Sequence, residues 1–155
     1  MTKKLLLFIT FSLLTSVFVE AQICNYKYRK RITFDPTRVG APASTTNLTN
    51  FQALINISSD NDLRVTGSGG YVETAAGNDI IFTADDGVTQ LNHQLEKYVS
   101  TTGELVVWVR IPILYTSINT YIYMYYGNAA APDQSTATTW NNDYHGVWHL
   151  HNNSM

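Results

Sequence analysis

Apolar and polar positions alternate with a period of two along most of this chain. In "YKYRKRITF" Tyr26, Tyr28, Ile32 and Phe34 stand against basic residues, and in "FQALINI" Phe51, Ala53, Ile55 and Ile57 fall at every second position. Such alternation predicts strands with one buried face. "DIIFTADDGVTQLNHQLEKYV" predicts two strands around the turn "ADDG", a hairpin signal. "ELVVWVRIP" is a strongly apolar run closed by Pro112, the pattern of a strand buried on both faces. "TYIYMYYGN" puts Tyr121, Tyr123 and Tyr125 on one face and Ile122, Met124 and Tyr126 on the other. "GVWHLH" predicts a last short strand. Between these runs, "PTRVGAPASTTNLTN" reads as a loop and "STTG" as a tight turn. "SSDNDLRVTGSGGYVETAAGN" reads as a long loop whose "TGSGGY" glycines are flexible, and "AAAPDQSTATTWNNDYH" as linker-like. No stretch beyond the N-terminus sustains a helical period with caps. The expected fold is all-β, an antiparallel β-sandwich of jelly-roll type.

The N-terminus departs from this pattern. "MTKKLLLFITFSLLTSVFVEAQ" has two lysines, an apolar run from Leu5 to about Val19, and small Ala21 after "VE". That is the organisation of a secretory signal, with cleavage after Ala21. The run is short of the ~20 apolar residues that a membrane-spanning helix needs. We therefore expect residues 1–21 to be a signal peptide, no stable membrane span after its removal, and a location outside the cell or on its outer surface.

Composition fits an exported β protein. Charged residues make up only 14% of the 155-residue chain, against the usual quarter or so. Removing Lys3, Lys4 and Glu20 with the signal leaves eight basic and eleven acidic residues, a formal net charge of −3. No basic surface of the kind that binds nucleic acid is expected. Lys27, Arg29 and Arg31 share one face of the first strand, where solvated charge would discourage edge-to-edge pairing. Cys24 has no second cysteine to pair with inside the chain.

Several landmarks then occur in one order: "DIIFTADDG", "LNHQLEKY", "GELVVWVRIP", "TYIYMYYGN" and "TTWNNDYHGVWHL", preceded by "YKYRKRITF". From Tyr26 to Leu150 the chain resembles the bacterial and archaeal secreted domain catalogued as domain of unknown function 2341. Tyr98 departs from the resemblance, because that family often carries Trp there. The resemblance brings no activity with it. It implies a module of large surface or secreted proteins, often placed just before a concanavalin-A-like or laminin-G-like lectin domain, with "GVWHL" opening that next domain. The expected organisation is a signal peptide over 1–21 and a β-sandwich over 22–140. Residues 141–155 are then a linker and the first strand of a lectin-like domain that the chain lacks, as in a truncated multidomain protein.

Candidate chemistry is sparse. Asp79, Asp85 and Asp86 are the candidate metal ligands, with calcium as the ion that clustered carboxylates suit; Asp before Gly87 is equally ordinary turn chemistry. His145, His149 and His151 lie close in sequence and could share a metal, although strand alternation around Trp148 and Leu150 also explains them. Glu96 and Glu104 could contribute to a glycosidase pair, yet no Glu-x-Asp-x-x-Glu strand motif, nucleophile elbow or phosphate loop is present. The aromatic residues Tyr121, Tyr123 and Tyr125, with Trp108 on the neighbouring run, are the ligand-binding candidates: exposed rings would stack sugars, whereas buried ones would pack a core or a domain interface. The expectation is a non-enzymatic recognition module without a cofactor, with glycans or a neighbouring lectin-like domain as partner. A structural spacer and a glycoside hydrolase fragment are the alternatives.

Overall fold

Successive side chains of a strand point to opposite faces, so two sheets that each bury one face against the other make a sandwich. The computed structural model describes residues 23–40, 45–140, 144, 146 and 147, and within them the chain takes this form. One antiparallel sheet runs in the order β1 (Tyr28–Phe34), β7 (Thr120–Tyr126), β3 (Ile81–Thr83) and β4 (Gln90–Leu91). The other runs β2 (Leu48–Ile57), β6 (Glu104–Leu114) and β5 (His93–Val99). The core lies between them. Leu105, Val107, Val109 and Ile111 of β6 face the layer containing Ile122, Met124 and Tyr126 of β7, with Ala53, Ile55 and Phe82 beside them. Each fully buried side chain of this size contributes about 1.5–3 kcal/mol.

Four local expectations change. The apolar run of β6 is buried on one face only, because Val106, Trp108 and Arg110 remain partly exposed on the other. Its second apolar stripe arises because Trp108 packs on Trp140, with ring centroids 5.2 Å apart. The predicted hairpin forms, Phe82 pairing with Leu91 and Thr83 with Gln90, but its second strand is split. The chain leaves the first sheet after Leu91 and enters the second at His93, where Asn92 accepts a hydrogen bond from the Arg110 amide at 2.9 Å. The loop before β3 is ordered rather than flexible. It contains a 3-10 turn at Thr66–Ser68, a parallel bridge between Val65 and Val72, and two wholly buried side chains, Leu63 and Val72. Finally, the residues "LTN" (Leu48 to Asn50), expected to close a loop, already belong to β2.

The β5–β6 turn shows where the backbone leaves no choice. Gly103 has φ of 70°, and its amide donates to the Val99 carbonyl at 2.8 Å. A Cβ there would stand 2.0 Å from the Asp60 carbonyl oxygen, so the glycine lets the long loop dock on the turn. Tyr98 holds the same loop: its hydroxyl donates to the Leu63 carbonyl at 2.6 Å. Burial, with Asp79 adding in the same direction, pushes the Tyr98 phenol well above its ordinary value. His93 is buried with its ring edge on Phe82 at 5.4 Å between centroids. Burial holds its imidazole below the ordinary value, against the pull of the Leu91 carbonyl.

Two outcomes follow. Gly103→Ala should lower stability by about 2 kcal/mol or more, from left-handed strain and the backbone collision together, read as a lower denaturant midpoint with unchanged slope. Stability should also fall with acid. The folded state resists protonation of His93, while the unfolded chain takes the proton near pH ~6.5. The contribution is thus complete above pH ~6.5 and is lost as pH falls from there through the depressed folded value. Denaturation midpoints at neutral and mildly acidic pH should differ, and His93→Gln should shrink that difference; an unchanged difference would exclude His93 as its source.

Candidate functional site

Strand alternation places Tyr121, Tyr123 and Tyr125 together on the outer face of the first sheet, as Ile122, Met124 and Tyr126 turn into the core. Antiparallel pairing with β1 sets Arg29 opposite Tyr125, Arg31 opposite Tyr123 and Thr33 opposite Tyr121. The arginines reach diagonally across the face. The Arg29 guanidinium lies 4.8 Å from the Tyr123 ring centroid and that of Arg31 4.9 Å from the Tyr121 centroid. Such contacts are worth about 0.5–1 kcal/mol at exposed sites. Arg29 Nη1 also lies 3.4 Å from the Tyr125 hydroxyl, to which it donates. β1 is an edge strand, as its charges suggested, but these two charges rest on aromatic rings. Lys27 instead meets Glu73 at 2.9 Å. Lys30 points to the other face and bridges Asp60 and Asp62 at 2.5 and 3.0 Å. Burial works to raise the Asp60 carboxyl, yet the Lys30 and backbone hydrogen bonds outweigh it and hold the group below the usual range.

The tyrosine row is not uniform. Tyr125 is only 8% exposed. It packs with Tyr26, Ile81 and Ala131, and its hydroxyl donates to the Gly87 carbonyl at 3.1 Å. Tyr125 is therefore a packing residue, whereas Tyr121 and Tyr123 keep part of their surface open. Trp108 does not join them. β6 and β7 adjoin in sequence but belong to different sheets, so Trp108 lies on the opposite outer face. There Trp140 packs against it, bonds to Gln94 through its indole N–H, and meets Tyr144 at 5.2 Å between centroids.

Beyond Tyr121 the row runs into a cleft of about 380 Å³ at the end of the sandwich. Its floor is Leu91, Ile111 and Ile122 from the core, and its walls include Tyr115, Ile118, Asn119, Tyr121 and Asp85. The β6–β7 turn shapes it: Thr120 Oγ1 accepts from the Tyr115 amide at 3.0 Å, and Asn47 Oδ1 from the Thr116 amide at 3.1 Å. Asn119 Nδ2 donates to the Tyr121 hydroxyl at 3.3 Å. Ile113 and Ile118 stay largely exposed at the rim. The arrangement offers flat apolar ring surface next to the amide of Asn119, the carboxylate of Asp85 and the two phenols of Tyr115 and Tyr121. It suits a ligand with apolar faces and hydroxyl edges.

The three candidate aspartates are not brought together, and among the described residues no group of three or more His, Cys, Asp and Glu could hold a metal ion. Asp79 is wholly buried. Its oxygens accept from the amides of Glu73 at 2.8 Å, Thr74 at 3.1 Å, Gly127 at 3.0 Å and Asn128 at 3.4 Å, and from Thr74 Oγ1 at 2.6 Å. Donors on every side leave its lone pairs occupied. Asp86 is a turn residue: it accepts from the Val88 and Thr89 amides, both at 2.9 Å. Burial is the largest single influence and works to raise its carboxyl, but the bond from Thr89 Oγ1 and the two amide bonds together outweigh it and hold the group below the usual range. Asp85 is the one that reaches the cleft. Glu104 pairs with Lys97 at 2.8 Å, and Glu96 sits at the β-bulge between Leu95 and Lys97. His145, His149 and His151, the predicted signal sequence and the predicted cleavage after Ala21 lie outside the described residues, as does the predicted last strand apart from Gly146 and Val147.

Two features escaped the sequence reading. Arg29 and Arg31 appeared as edge charges; only the pairing of β1 with β7 puts them on the tyrosine face. Tyr115 and Asn119 carry no motif, and only the turn that closes the cleft gives them a role.

A family model described as "Domain of unknown function (DUF2341)" matches residues 76–145. This stretch covers β5, β6, β7, the β3–β4 hairpin and Tyr144, whereas β1 and β2 precede it. Searches of curated proteins and of solved structures returned no significant match.

Asp79 supplies the test of this arrangement. Asp79→Asn removes one acceptor oxygen from a buried cluster of donors and should cost about 3 kcal/mol or more, seen in chemical denaturation. Calcium or a chelator should leave the melting temperature of the unaltered protein unchanged; a calcium-dependent rise would restore the metal reading.

Proposed function

We propose that this protein, whose residues 76–145 match the DUF2341 family model, is a secreted or cell-surface recognition module that binds glycans without chemical turnover. The observation that carries the reading is the double position of Tyr121. Its ring walls the end cleft and also begins the outer row with Tyr123, and Asn119 donates to its hydroxyl. Sugars offer flat C–H faces that rings cover with little loss of rotamer freedom, and hydroxyl edges that an amide and a carboxylate can bond. Pockets that bind small molecules combine apolar walls with a few convergent polar groups in this way. The N-terminal signal pattern supports export, and no helix among the described residues is long and apolar enough to cross a membrane. Glycoside hydrolysis uses two carboxyl groups across the scissile bond, and among the described residues the cleft lining has one, Asp85.

A second reading has its own observation. Trp108, Trp140 and Tyr144 make a continuous aromatic contact on the outer face of the second sheet, beside exposed Leu54. That surface suits a spacer that packs against a lectin-like neighbour, as the family resemblance implies.

Glycan-array screening tests the first reading. At least one glycan should bind. Tyr121→Ala should then weaken binding about tenfold, since one stacked ring is worth about 0.5–1.5 kcal/mol beyond its buried area and 1.4 kcal/mol is a factor of ten. Leu54→Ser, on the opposite face, should bind as the unaltered protein does. Full binding by a folded Tyr121→Ala variant removes the cleft from consideration, and an array without hits favours the spacer.

A further inference from the structure

Arg29 and Arg31 differ from the other basic side chains around them. Lys27 and Lys30 each meet a carboxylate. Among the described residues neither Arg29 nor Arg31 has a carboxylate partner, although both are exposed. The nearby acids are engaged elsewhere: Glu73 with Lys27, and Asp60 and Asp62 with Lys30 on the other face of β1. Two positive charges therefore stand together on a chain whose net charge is negative.

Their setting matches the way guanidinium groups recognise acids. A guanidinium lying over a ring uses its flat face there and keeps its N–H edge for other partners. Tyr121 and Tyr123 thus orient the two forks before any ligand arrives, which lowers the ordering cost of binding. Arg29 and Arg31 are two residues apart on one strand face, or about 7 Å. The rings between them supply apolar surface at the same level. Lysine could offer the charge, but not the planar two-donor edge that fits a carboxylate.

We infer that the ligand of this surface is an acidic polysaccharide, its carboxylates bonded by Arg29 and Arg31 while neutral hydroxyls meet Asn119 and Asp85 in the adjoining cleft. The inference rests on the glycan-binding reading above and adds the chemical class. It also divides the labour along the surface: Asp85 would repel an acid group, so the charged part of the ligand lies over β1 and β7 and its uncharged part enters the cleft.

The test compares polygalacturonate and alginate with fully methyl-esterified polygalacturonate, and with duplex DNA as an unrelated polyanion, by calorimetry at moderate salt. At least one of the two acidic polymers should bind about tenfold or more tightly than the ester and than DNA. The double variant Arg29→Gln, Arg31→Gln should lose that preference, and Arg31→Lys should keep only part of it. A melting curve checks that each variant is folded, and Arg31→Lys carries the comparison if the double variant is not. Equal binding of acid and ester, or unaltered binding by the folded double variant, overturns the acidic class and leaves the glycan reading standing. DNA binding as strong as that of the polysaccharides overturns it too, reducing the surface to a general anion patch. If neutral glycans bind on the array and neither acidic polymer binds, only the acidic class fails. If no glycan of any kind binds, both readings fail together.

Discussion

One buried carboxylate joins parts of the chain that are far apart in sequence. Asp79 lies just before β3, and its oxygens gather the amides of the long loop at Glu73 and Thr74 and those at the exit of β7, Gly127 and Asn128. β3 and β7 are neighbours in the first sheet, so this knot sets where β7 ends relative to β3. Side chains alternate with a period of two, and a slip of one residue would turn the tyrosine row inward and Ile122 and Met124 outward. The carboxylate suits the task because it accepts several bonds at once and donates none. Everything on the outer face, including the reach of Arg29 and Arg31 across it, follows from that register.

The end cleft has a different origin. β6 and β7 are consecutive, yet they belong to opposite sheets. The chain must therefore span the thickness of the sandwich at Tyr115–Asn119. The β3–β4 hairpin approaches the same end with Ala84 and Asp85, because the chain changes sheet again after Leu91. Two crossings at one end leave a gap between the layers that core residues floor and turn residues wall. A site at the mouth of a sandwich can vary its turn residues without disturbing the packed layers, in keeping with the tendency of loops on rigid scaffolds to carry function.

Much of this was legible in the residues. Period-two alternation identified the strands and hence the all-β class, since the signal is local and strong in β1, β2 and β7. The inward set Ile122, Met124 and Tyr126 followed from the same rule. What local patterning could not supply was pairing. "ELVVWVRIP" looked buried on both faces because Trp108 and Val106 are apolar, but what covers Trp108 is Trp140, thirty-two positions along the chain. Trp108 seemed a companion of the tyrosines because β6 and β7 are adjacent in sequence, and the change of sheet separates them. Asp79, Asp85 and Asp86 looked like one acidic group, yet they perform three separate tasks, since a carboxylate's role depends on whether amides, a turn or open space surround it. Tyr98 shows the same limit: its hydroxyl has a defined acceptor in the Leu63 carbonyl, which no pattern in the neighbouring residues announces.

The place of β1 has a consequence for how the family's boundaries should be understood. The matched stretch begins at residue 76, after β1 and β2, yet β1 covers one side of β7 and β2 covers one side of β6 over nine paired positions. The matched segment taken alone would keep its most apolar strands and lose the neighbours that saturate their backbone groups, presenting two raw edges of the kind that template aggregation. A recognisable stretch of sequence is thus smaller here than the cooperative unit of folding. The earlier strands, though less distinctive in sequence, are what make the later ones a protein.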